Sequence, residues 1–165
     1  MARDQMIDNF QGEYRFLSNF YDCLVDVKGR LFASSEHAYQ AAKTLDPVWQ
    51  NDIRLARSPL AAKKLGRQAP LRPDWNDVKI DVMRFVLAQK FKERSALADK
   101  LVLTFPHDLV EGNDHGDDFW GCVLVNRTTP WDGDEEVPCW SGDNWLGRLL
   151  MERREILRHD HRGVS

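Results

Sequence analysis

The sequence predicts an α+β fold in which helices dominate and a small β-sheet is built from segments that are not adjacent in the chain. Three observations support this fold class. Long stretches repeat apolar residues with a helical period after capping residues, only short stretches alternate as strands do, and 42% hydrophobic with 30% charged residues is typical of a globular protein. The 165 residues contain no internal repeat or low-complexity linker, so we expect a single domain over residues 1–165.

The first element that the pattern predicts is a β-hairpin at residues 23–32. Residues 24–27 alternate apolar and polar side chains, and Lys28-Gly29 supplies the turn. Ser34-Ser35 then offers an N-cap for a helix that we expect to end near Leu45. Pro47 is expected to open a short helix that reaches residue 57.

A third short helix is expected after Ser58, because a capping serine followed by Pro59 is a typical helix start. Gly66 is expected to end it. The longest helix is predicted from Trp75, after a cap at Asp74, to about Lys92, and its broad apolar stripe predicts that it is the central buried helix.

The remaining predicted elements are a helix at 96–105, short strands at 108–111 and 120–125, a loop at 126–142 and a closing helix at 144–158. The closing helix is expected to turn its leucines inward and its arginines, at 148, 153, 154 and 158, mostly outward. Gly147 lies inside this helix, where it costs about 1 kcal/mol relative to alanine, so we expect it to permit a close approach.

Charge and cysteine content narrow the class of protein. The net charge of −3 argues against a general polyanion binder, although residues 53–73 carry six cations and no acid. That segment is typical of either a phosphate-binding surface or a solvated helix surface. Three cysteines without a CxxC pair fit a reduced compartment, and no signal peptide or apolar run of about 20 residues is recognisable, so we expect a cytoplasmic protein with no membrane partner.

Glu36, Gln40 and Lys43 stand four and three residues apart on the first predicted helix, so they share one face. A carboxylate, an amide and an amine in one line are suited to proton transfer or carbonyl chemistry. The same spacing is equally typical of a solvated polar stripe.

A second group of polar residues lies at 109–121, where four acids occupy a glycine-containing loop between short apolar runs. Such a loop suits a divalent cation, sugar hydroxyls or a general acid, and it is also typical of a solvated turn. A zinc site from His107, His115, Cys122 and Cys139 matches no standard ligand spacing, so no metal site is predicted. The sequence contains neither a GxSxG nucleophile elbow nor a phosphate-cradling glycine loop.

Several of these segments together resemble the NADAR family, also called YbiA-like. The motifs that carry the resemblance are Phe16 to Tyr21, Ser35 to Lys43, Trp75 with Lys79 and Met83, Lys90-Phe91, Leu109 to Glu111 with Asp117 before Trp120-Gly121, and Gly142 to Arg154. They occur in the family's order over about residues 16–157, which we take as the core of the domain. The resemblance implies a YbiA-like fold.

The resemblance further implies an N-glycosidase that cleaves the bond between C1 of a ribose and a nitrogen. The implied substrates are ribosylamino-pyrimidine phosphates, as in riboflavin intermediates, or ADP-ribose on guanine and other NAD-derived adducts, which leaves ADP-ribosylated nucleic acid open as a partner. No cofactor is implied. The implied catalytic residues are Glu36, Lys43 and Asp117, and the implied substrate-binding residues are Asn19, Trp75, Lys79, Glu111, Trp120 and Asn144.

Glu36 and Asp117 are expected to divide the acid and charge-stabilising roles, and Lys43 has a second possibility, a Schiff base with the open-chain ribose. Lys79 matches the family motif better than the cations of residues 53–73 do, so the resemblance implies Lys79 as the phosphate ligand. Trp75 and Trp120 are stacking candidates, whereas Trp49 and Trp145 are assigned to packing. Two other functions stay open: a non-catalytic ADP-ribose or nucleotide-binding module, and an interaction protein that uses the tryptophan-bearing loop at 122–141.

Overall fold

The computed structural model describes residues 6–128 and 136–162. In chain order the elements are β1 (Met6–Ile7), a 3-10 helix (Gly12–Leu17), β2 (Val25–Val27), β3 (Arg30–Phe32), α1 (Ser35–Ala41), α2 (Pro47–Arg54), α3 (Pro59–Gln68), α4 (Trp75–Lys90), α5 (Ala96–Val102), β4 (Asp108–Leu109), β5 (Gly112–Asn113), β6 (Cys122–Thr128), β7 (Glu136–Ser141) and α6 (Trp145–Arg162). The predicted α+β class with dominant helices is confirmed.

The strands of the described residues form three small sheets instead of the one sheet that the sequence predicted. β1 pairs in parallel with β4, β2 and β3 form the predicted hairpin, and β5, β6 and β7 form a third sheet in that order. The predicted loop at 126–142 was wrong, because β6 and β7 pair as an antiparallel ladder from Val123↔Ser141 to Thr128↔Glu136; residues 129–135 of that segment lie outside the described residues. The sequence pattern did not predict this strand because Pro138 interrupts it. β7 tolerates a proline because it is an edge strand.

Helix starts follow the predicted caps more closely than helix ends do. The side-chain oxygens of Ser34 and Ser58 accept hydrogen bonds from the backbone N–H groups of His37 and Ala61. α1 nevertheless ends at Ala41, four residues before the predicted end. Gly66 does not end α3, which continues to Gln68, because this glycine allows α3 to lie against the Gln40 side chain of α1.

α4 is the central helix that the sequence predicted. It packs against α1, α6 and the β2–β3 hairpin, and Met83, Val86 and Leu87 are fully buried. On α6, Gly147 makes the predicted close approach, since a Cβ built there would lie 2.1 Å from the Leu109 carbonyl oxygen. The expected outward orientation was wrong for Arg154, which is buried and donates to His107 O and Thr104 Oγ1.

Two hydrophobic clusters meet at α1, and this arrangement creates the site. Tyr39 belongs to the cluster built on α4, α5 and α6, whereas Ala38 and Ala41 belong to the cluster beneath the hairpin, α2 and α3. All seven residues of α1 are therefore buried, its polar ones included. Helices long and apolar enough to span a membrane do not occur in the part of the chain that the structure describes. The cytoplasmic location stays a prediction.

Candidate functional site

A cavity of about 480 Å³ lies where α1, α3 and the loop after β4 converge. Six parts of the chain line it. Met83 of α4 and Leu146 of α6 are its apolar side chains, and the polar or aromatic side chains are Ser18, Asn19, Phe20, Glu36, Tyr39, Gln40, Lys43, Lys63, Arg67, Glu111, Asn113, His115, Asp117 and Trp120. Six of the nine predicted site residues thus face one cavity: Asn19, Glu36, Lys43, Glu111, Asp117 and Trp120.

Glu36 lies inside the molecule, so the interpretation of its helix face as a solvated stripe was wrong. The side chain is 6% exposed and accepts a 2.7 Å hydrogen bond from Gln40 Nε2. Burial raises the pKa of Glu36, and the Gln40 hydrogen bond and the Lys63 charge oppose the rise. The backbone N–H of Glu36 also donates to Asn19 O over 3.0 Å, which joins α1 to the segment that follows the 3-10 helix.

Lys43 lies beyond the end of α1, half-buried at the cavity wall. Its pKa is lowered chiefly by burial, and Lys63 and Arg67 add to this effect while Glu36 opposes it. The Nζ atom lies 5.4 Å from the Tyr39 ring centroid and 5.9 Å from the Trp75 ring centroid. A lysine with a lowered pKa has more of the neutral, nucleophilic amine at neutral pH.

The acidic loop is a built structure around Asn113, which contradicts a simple solvated turn at Asp117. Asn113 Nδ2 donates to Asp117 O over 2.7 Å and to Cys122 O over 3.1 Å, and Asn113 Oδ1 accepts from the Asp117 N–H. The Asp117 carboxylate then accepts the Trp120 backbone N–H at 2.9 Å. These four bonds hold Asp117 at the cavity wall.

Glu111 is a second carboxyl whose pKa the site raises. Burial raises its pKa to about 7, the Asp117 and Glu36 charges add to the rise, and Lys90 and Lys63 oppose it. An acid with this pKa exists in both protonation states near neutral pH. Glu111 can therefore donate or accept a proton under physiological conditions.

Trp120 and Trp75 flank the same tyrosine but differ in their access to the cavity. The Trp120 ring lines the cavity, and its centroid lies 5.4 Å from the Tyr39 ring centroid. Trp75 packs on Tyr39 at 5.1 Å but is 6% exposed and lies in the core, outside the lining. The structure thus places Trp75 behind Tyr39, as support for the wall.

Two further predicted binding residues lie outside the cavity lining. Lys79 Nζ sits 3.9 Å from the Phe119 ring centroid, in a cation–π contact. Asn144 Nδ2 donates to Leu109 O over 2.9 Å, and Asn144 Oδ1 accepts the Glu111 N–H over 3.1 Å. Asn144 thereby positions the Glu111 backbone from the start of α6.

Four residues of the site region were not predicted as site residues from the sequence. Gln40 was noticed on the helix face but assigned no role, and Lys63 and Arg67 were present only as members of the basic segment. Their i, i+4 spacing on α3 is the signal that brings both to the cavity wall. Lys90 is 3% exposed and donates to Ser18 O over 2.7 Å. No local sequence pattern predicts that this lysine is buried beside the site.

Three buried acceptors on the cavity wall have no hydrogen-bond partner among the described residues: Asn19 Oδ1, Gln40 Oε1 and Glu111 Oε2. Buried polar atoms are nearly always paired in folded proteins. Gln40 Oε1 packs against Gly66 of α3, so Asn19 Oδ1 and Glu111 Oε2 are the two acceptors that suit the hydroxyl or N–H donors of a bound group. Across the described residues, no set of three His, Cys, Asp or Glu side chains is placed to hold a metal ion.

Comparison with known proteins places this geometry in a family. The NADAR domain model matches residues 7–158. N-glycosidase YbiA of Escherichia coli (strain K12) is 38% identical over 147 residues, covering 88% of this chain and 82% of the relative. N-glycosidase Npun_R5314 of Nostoc punctiforme is 33% identical over 151 residues, covering 88% of this chain and 87% of the relative.

Riboflavin biosynthesis protein VVA0006 of Vibrio vulnificus is 39% identical over 145 residues, covering 87% of this chain but 35% of the relative, so the chain spans about a third of that protein. The NMR structure of the E. coli protein YbiA has a TM-score of 0.78 at 34% identity and covers 100% of this chain and 92% of that one. The YbiA-like fold is therefore confirmed. With a family model that matches most of its length and relatives well above 30% identity, the chain belongs to the NADAR domain family.

Proposed function

We propose that this protein is an N-glycosidase that hydrolyses the C1–N bond of ribosyl-phosphate or ADP-ribosyl adducts. The observation that carries the proposal is one cavity with Glu36, Glu111 and Asp117 on its walls together with three cations, Lys43, Lys63 and Arg67. The relatives named N-glycosidases, at 38% and 33% identity, support the reaction class. The name of VVA0006 supports a ribosylamino-pyrimidine phosphate as one substrate.

Breaking a C1–N bond builds positive charge on the ribose and negative charge on the leaving nitrogen. A carboxylate beside C1 stabilises the first and a carboxylic acid beside the nitrogen neutralises the second. We assign the proton to Glu111, because its raised pKa keeps a large fraction protonated at neutral pH. Asp117 and Glu36 then act on the ribose, and Glu36 is oriented for this by the Gln40 amide.

Lys43 allows a second route to the same products. In direct hydrolysis, water attacks C1 while the base leaves with the Glu111 proton. In the Schiff-base route, the Lys43 amine attacks C1 as the protonated base leaves. The bond between C1 and the ring oxygen then breaks, with a proton of the amine passing to that oxygen, and the open-chain iminium forms. Water later hydrolyses the iminium and returns the amine. The lowered pKa of Lys43 supports the second route.

The substrate phosphate is assigned to Lys63 and Arg67. Both line the cavity, and neither forms a salt bridge with a described residue. Lys79 was the better match to the family motif, but its contact with Phe119 supports a role in holding the Trp120 segment. Asn19 and Trp120 face the ribose and base, since both line the cavity and Asn19 Oδ1 is unpaired among the described residues.

The test uses two substrates: an ADP-ribosylated guanine oligonucleotide and a ribosylamino-pyrimidine phosphate. We expect release of the sugar from at least one, with a loss of about 10²-fold or more in the Glu36→Gln and Glu111→Gln variants. Lys63→Met and Arg67→Met should raise KM, and Lys64→Met, which changes an exposed lysine of α3 outside the cavity lining, serves as the matched control. Tight binding without turnover, unaffected by Glu36→Gln, would instead establish the non-catalytic ADP-ribose or nucleotide-binding module.

Borohydride reduction separates the two routes. If the Schiff base forms, reduction during turnover attaches the sugar to the protein in the wild type and not in Lys43→Ala, and mass spectrometry locates the added mass at residue 43. Active wild-type enzyme that yields no trapped adduct leaves direct attack by water as the route.

A further inference from the structure

The Asn19 side chain stands on a backbone that neighbouring contacts hold in place. Its own carbonyl oxygen accepts the Glu36 N–H over 3.0 Å. The carbonyl oxygen of Ser18 accepts Lys90 Nζ over 2.7 Å, and the Phe20 N–H donates to Ser18 Oγ over 3.1 Å. With the main chain held on both sides, the freedom that remains is rotation of the amide, whose terminal torsion is broad and roughly two-fold.

One end of this amide meets the thioether of Met83. Asn19 Nδ2 donates to Met83 Sδ over 3.5 Å, and the methionine, on α4, is 1% exposed. A thioether sulfur carries lone pairs and no proton, so it accepts a hydrogen bond and cannot donate one. The NH2 end of the amide is therefore the end that faces Met83 favourably.

The other end of the amide is an acceptor. Asn19 Oδ1 is buried, and none of the described residues donates a hydrogen bond to it. Asn19 and Met83 both line the cavity, and Glu111 supplies a second unpaired acceptor, Oε2, on the same lining. In the reversed orientation Oδ1 would meet the sulfur, and two acceptors would then face each other without a hydrogen between them. The sulfur thus favours an acceptor over a donor as the group that Asn19 offers to a ligand.

Packing alone does not require a sulfur atom at residue 83. Met83 belongs to a hydrophobic cluster whose other fully buried members include Leu17, Leu87 and Phe91. Leucine and methionine exchange in protein cores at small cost, because their volumes are similar. A leucine at residue 83 would fill the same space but leave Asn19 Nδ2 without this acceptor. The hydrogen bond is therefore what methionine adds at this position.

We infer that Met83 is a positioning residue whose thioether holds the Asn19 amide so that Oδ1 is the group offered to the ligand. The inference rests on the proposed function for the molecule that fills the cavity, and it adds a requirement on the chemistry of that molecule. The part of the substrate beside Asn19 must donate a hydrogen bond, as a sugar hydroxyl does. An ether or carbonyl oxygen at the same place would leave Oδ1 buried and unpaired, which weakens binding.

Nuclear Overhauser effects in the isotopically labelled full chain test the orientation of the amide before any ligand is added. We expect cross-peaks from the Asn19 side-chain NH2 protons to the Met83 methyl and methylene protons beside the sulfur, since Nδ2 and Sδ lie 3.5 Å apart. An Asn19 amide that shows no such cross-peaks in the wild type overturns the inference.

A double-mutant cycle, measured by isothermal titration calorimetry, tests the effect on binding. The probes are ribose 5-phosphate and ADP-ribose, and the variants are Met83→Leu, Asn19→Ala and the two together. We expect Met83→Leu to weaken binding about fivefold to tenfold, and to have no further effect once residue 19 is alanine.

Leu87→Met is the matched control, because it makes the reverse exchange one turn later on α4, at a residue that is 0% exposed and outside the cavity lining. It should bind both probes as the wild type does. Thermal unfolding checks that every variant is folded.

The cycle separates positioning from packing. A packing defect at residue 83 weakens binding by the same factor whether residue 19 is asparagine or alanine, so equal factors overturn the inference, as does unchanged affinity in Met83→Leu. Sugar release by the wild type without coupling in the cycle refutes the inference alone. Coupling in a protein that releases no sugar from either substrate refutes the proposed function alone. If the wild type binds neither probe, the proposed function fails, and the cross-peaks still decide the orientation of the amide.

Discussion

Two buried side chains of opposite charge set the protonation state of the site. Lys90 is held by a 2.7 Å hydrogen bond to Ser18 O, and burial lowers its pKa to about 8. Its remaining charge lowers the pKa of Glu111, while Asp117 and Glu36 raise it. At the scale of single residues, burial and the Asp117 charge thus raise the pKa of Glu111, and a lysine outside the cavity lining opposes the rise.

The first prediction concerns Glu111 as the proton donor. An acid must be protonated to act, so kcat/KM should be constant below the pKa of about 7 and fall about tenfold per pH unit above it. A pH–rate profile of the wild type measures this fall, which forms the alkaline limb of the profile. Glu111→Gln should be slow at every pH and lack the limb. A limb that survives in Glu111→Gln assigns the proton to another group.

A second prediction isolates the charge of Lys90. Lys90→Met removes the attraction that lowers the pKa of Glu111, so the alkaline limb of the pH–rate profile should move to higher pH. Lys90→Arg keeps the charge and should return the limb towards its wild-type position. Loss of packing alone changes activity and thermal stability without moving the limb, so an unmoved limb in Lys90→Met contradicts the electrostatic role.

At the scale of elements, the close contact between α1 and α3 holds the reactive face in place. Gln40, which orients Glu36, packs into the space left by the missing side chain of Gly66. A Cβ built on Gly66 would lie 2.1 Å from Gln40 Oε1 and 2.9 Å from its Cδ. Gly66 therefore allows α1 and α3 to pack closely, and it does not mark a turn.

Gly66→Ala tests this contact. Alanine favours a helix by about 1 kcal/mol over glycine, whereas forcing a methyl group into a packed site costs about 1–3 kcal/mol. We expect no gain in the free energy of unfolding and a fall in kcat as Gln40 leaves Glu36. Denaturant unfolding and steady-state kinetics measure the two effects, with Lys64→Ala, an exposed substitution on α3, as control. A more stable variant with full activity contradicts this account.

The close contact between α6 and β4 likewise positions the opposite wall of the cavity. Gly147 lets α6 approach the Leu109 carbonyl, and Asn144, with a φ of 53°, uses both ends of its amide to hold residues 109 and 111. The position of Glu111 therefore depends on the start of a helix more than thirty residues away in sequence.

At the scale of the whole molecule, the buried acids of the cavity reduce stability as the pH rises. The folded-state pKa of Glu111, about 7, exceeds its ordinary value of 4.5, so the folded protein binds more protons between these values. Stability from this residue is greatest below pH 4.5 and declines until about pH 7. The raised pKa of Glu36 acts in the same direction.

Glu111→Gln should therefore be more stable than the wild type at pH 8, by on the order of 2 kcal/mol, and similar to it near pH 4.5. Denaturant unfolding at both pH values measures the difference. The variant loses activity while gaining stability, as expected when a site holds a carboxyl away from water. Equal unfolding free energies at pH 8 contradict a desolvated Glu111.

Local signals predicted much of the fold. Serine and proline signals marked the starts of α1, α2, α3 and α5, and the alternation at 24–27 with its glycine turn identified the hairpin. Strand β7 escaped prediction because a proline interrupts its pattern, and β1 and β5 escaped because two-residue strands carry no periodic signal. Gly66 was misassigned because a glycine near a helix end has the same local sequence whether it stops the helix or admits a neighbour.

The sequence by itself determined the helix-dominated α+β class, most helix starts, and the presence of reactive side chains at 36, 43, 111 and 117, because caps, periodicity and residue chemistry are local properties. Only the tertiary structure decided which of them share a cavity, that Glu36 is buried, that Trp75, Lys79 and Asn144 lie outside the cavity lining, and that Lys63 and Arg67 form part of it. Burial and electrostatic coupling depend on distances between segments far apart in the chain, and those distances arise only when the two hydrophobic clusters close around α1.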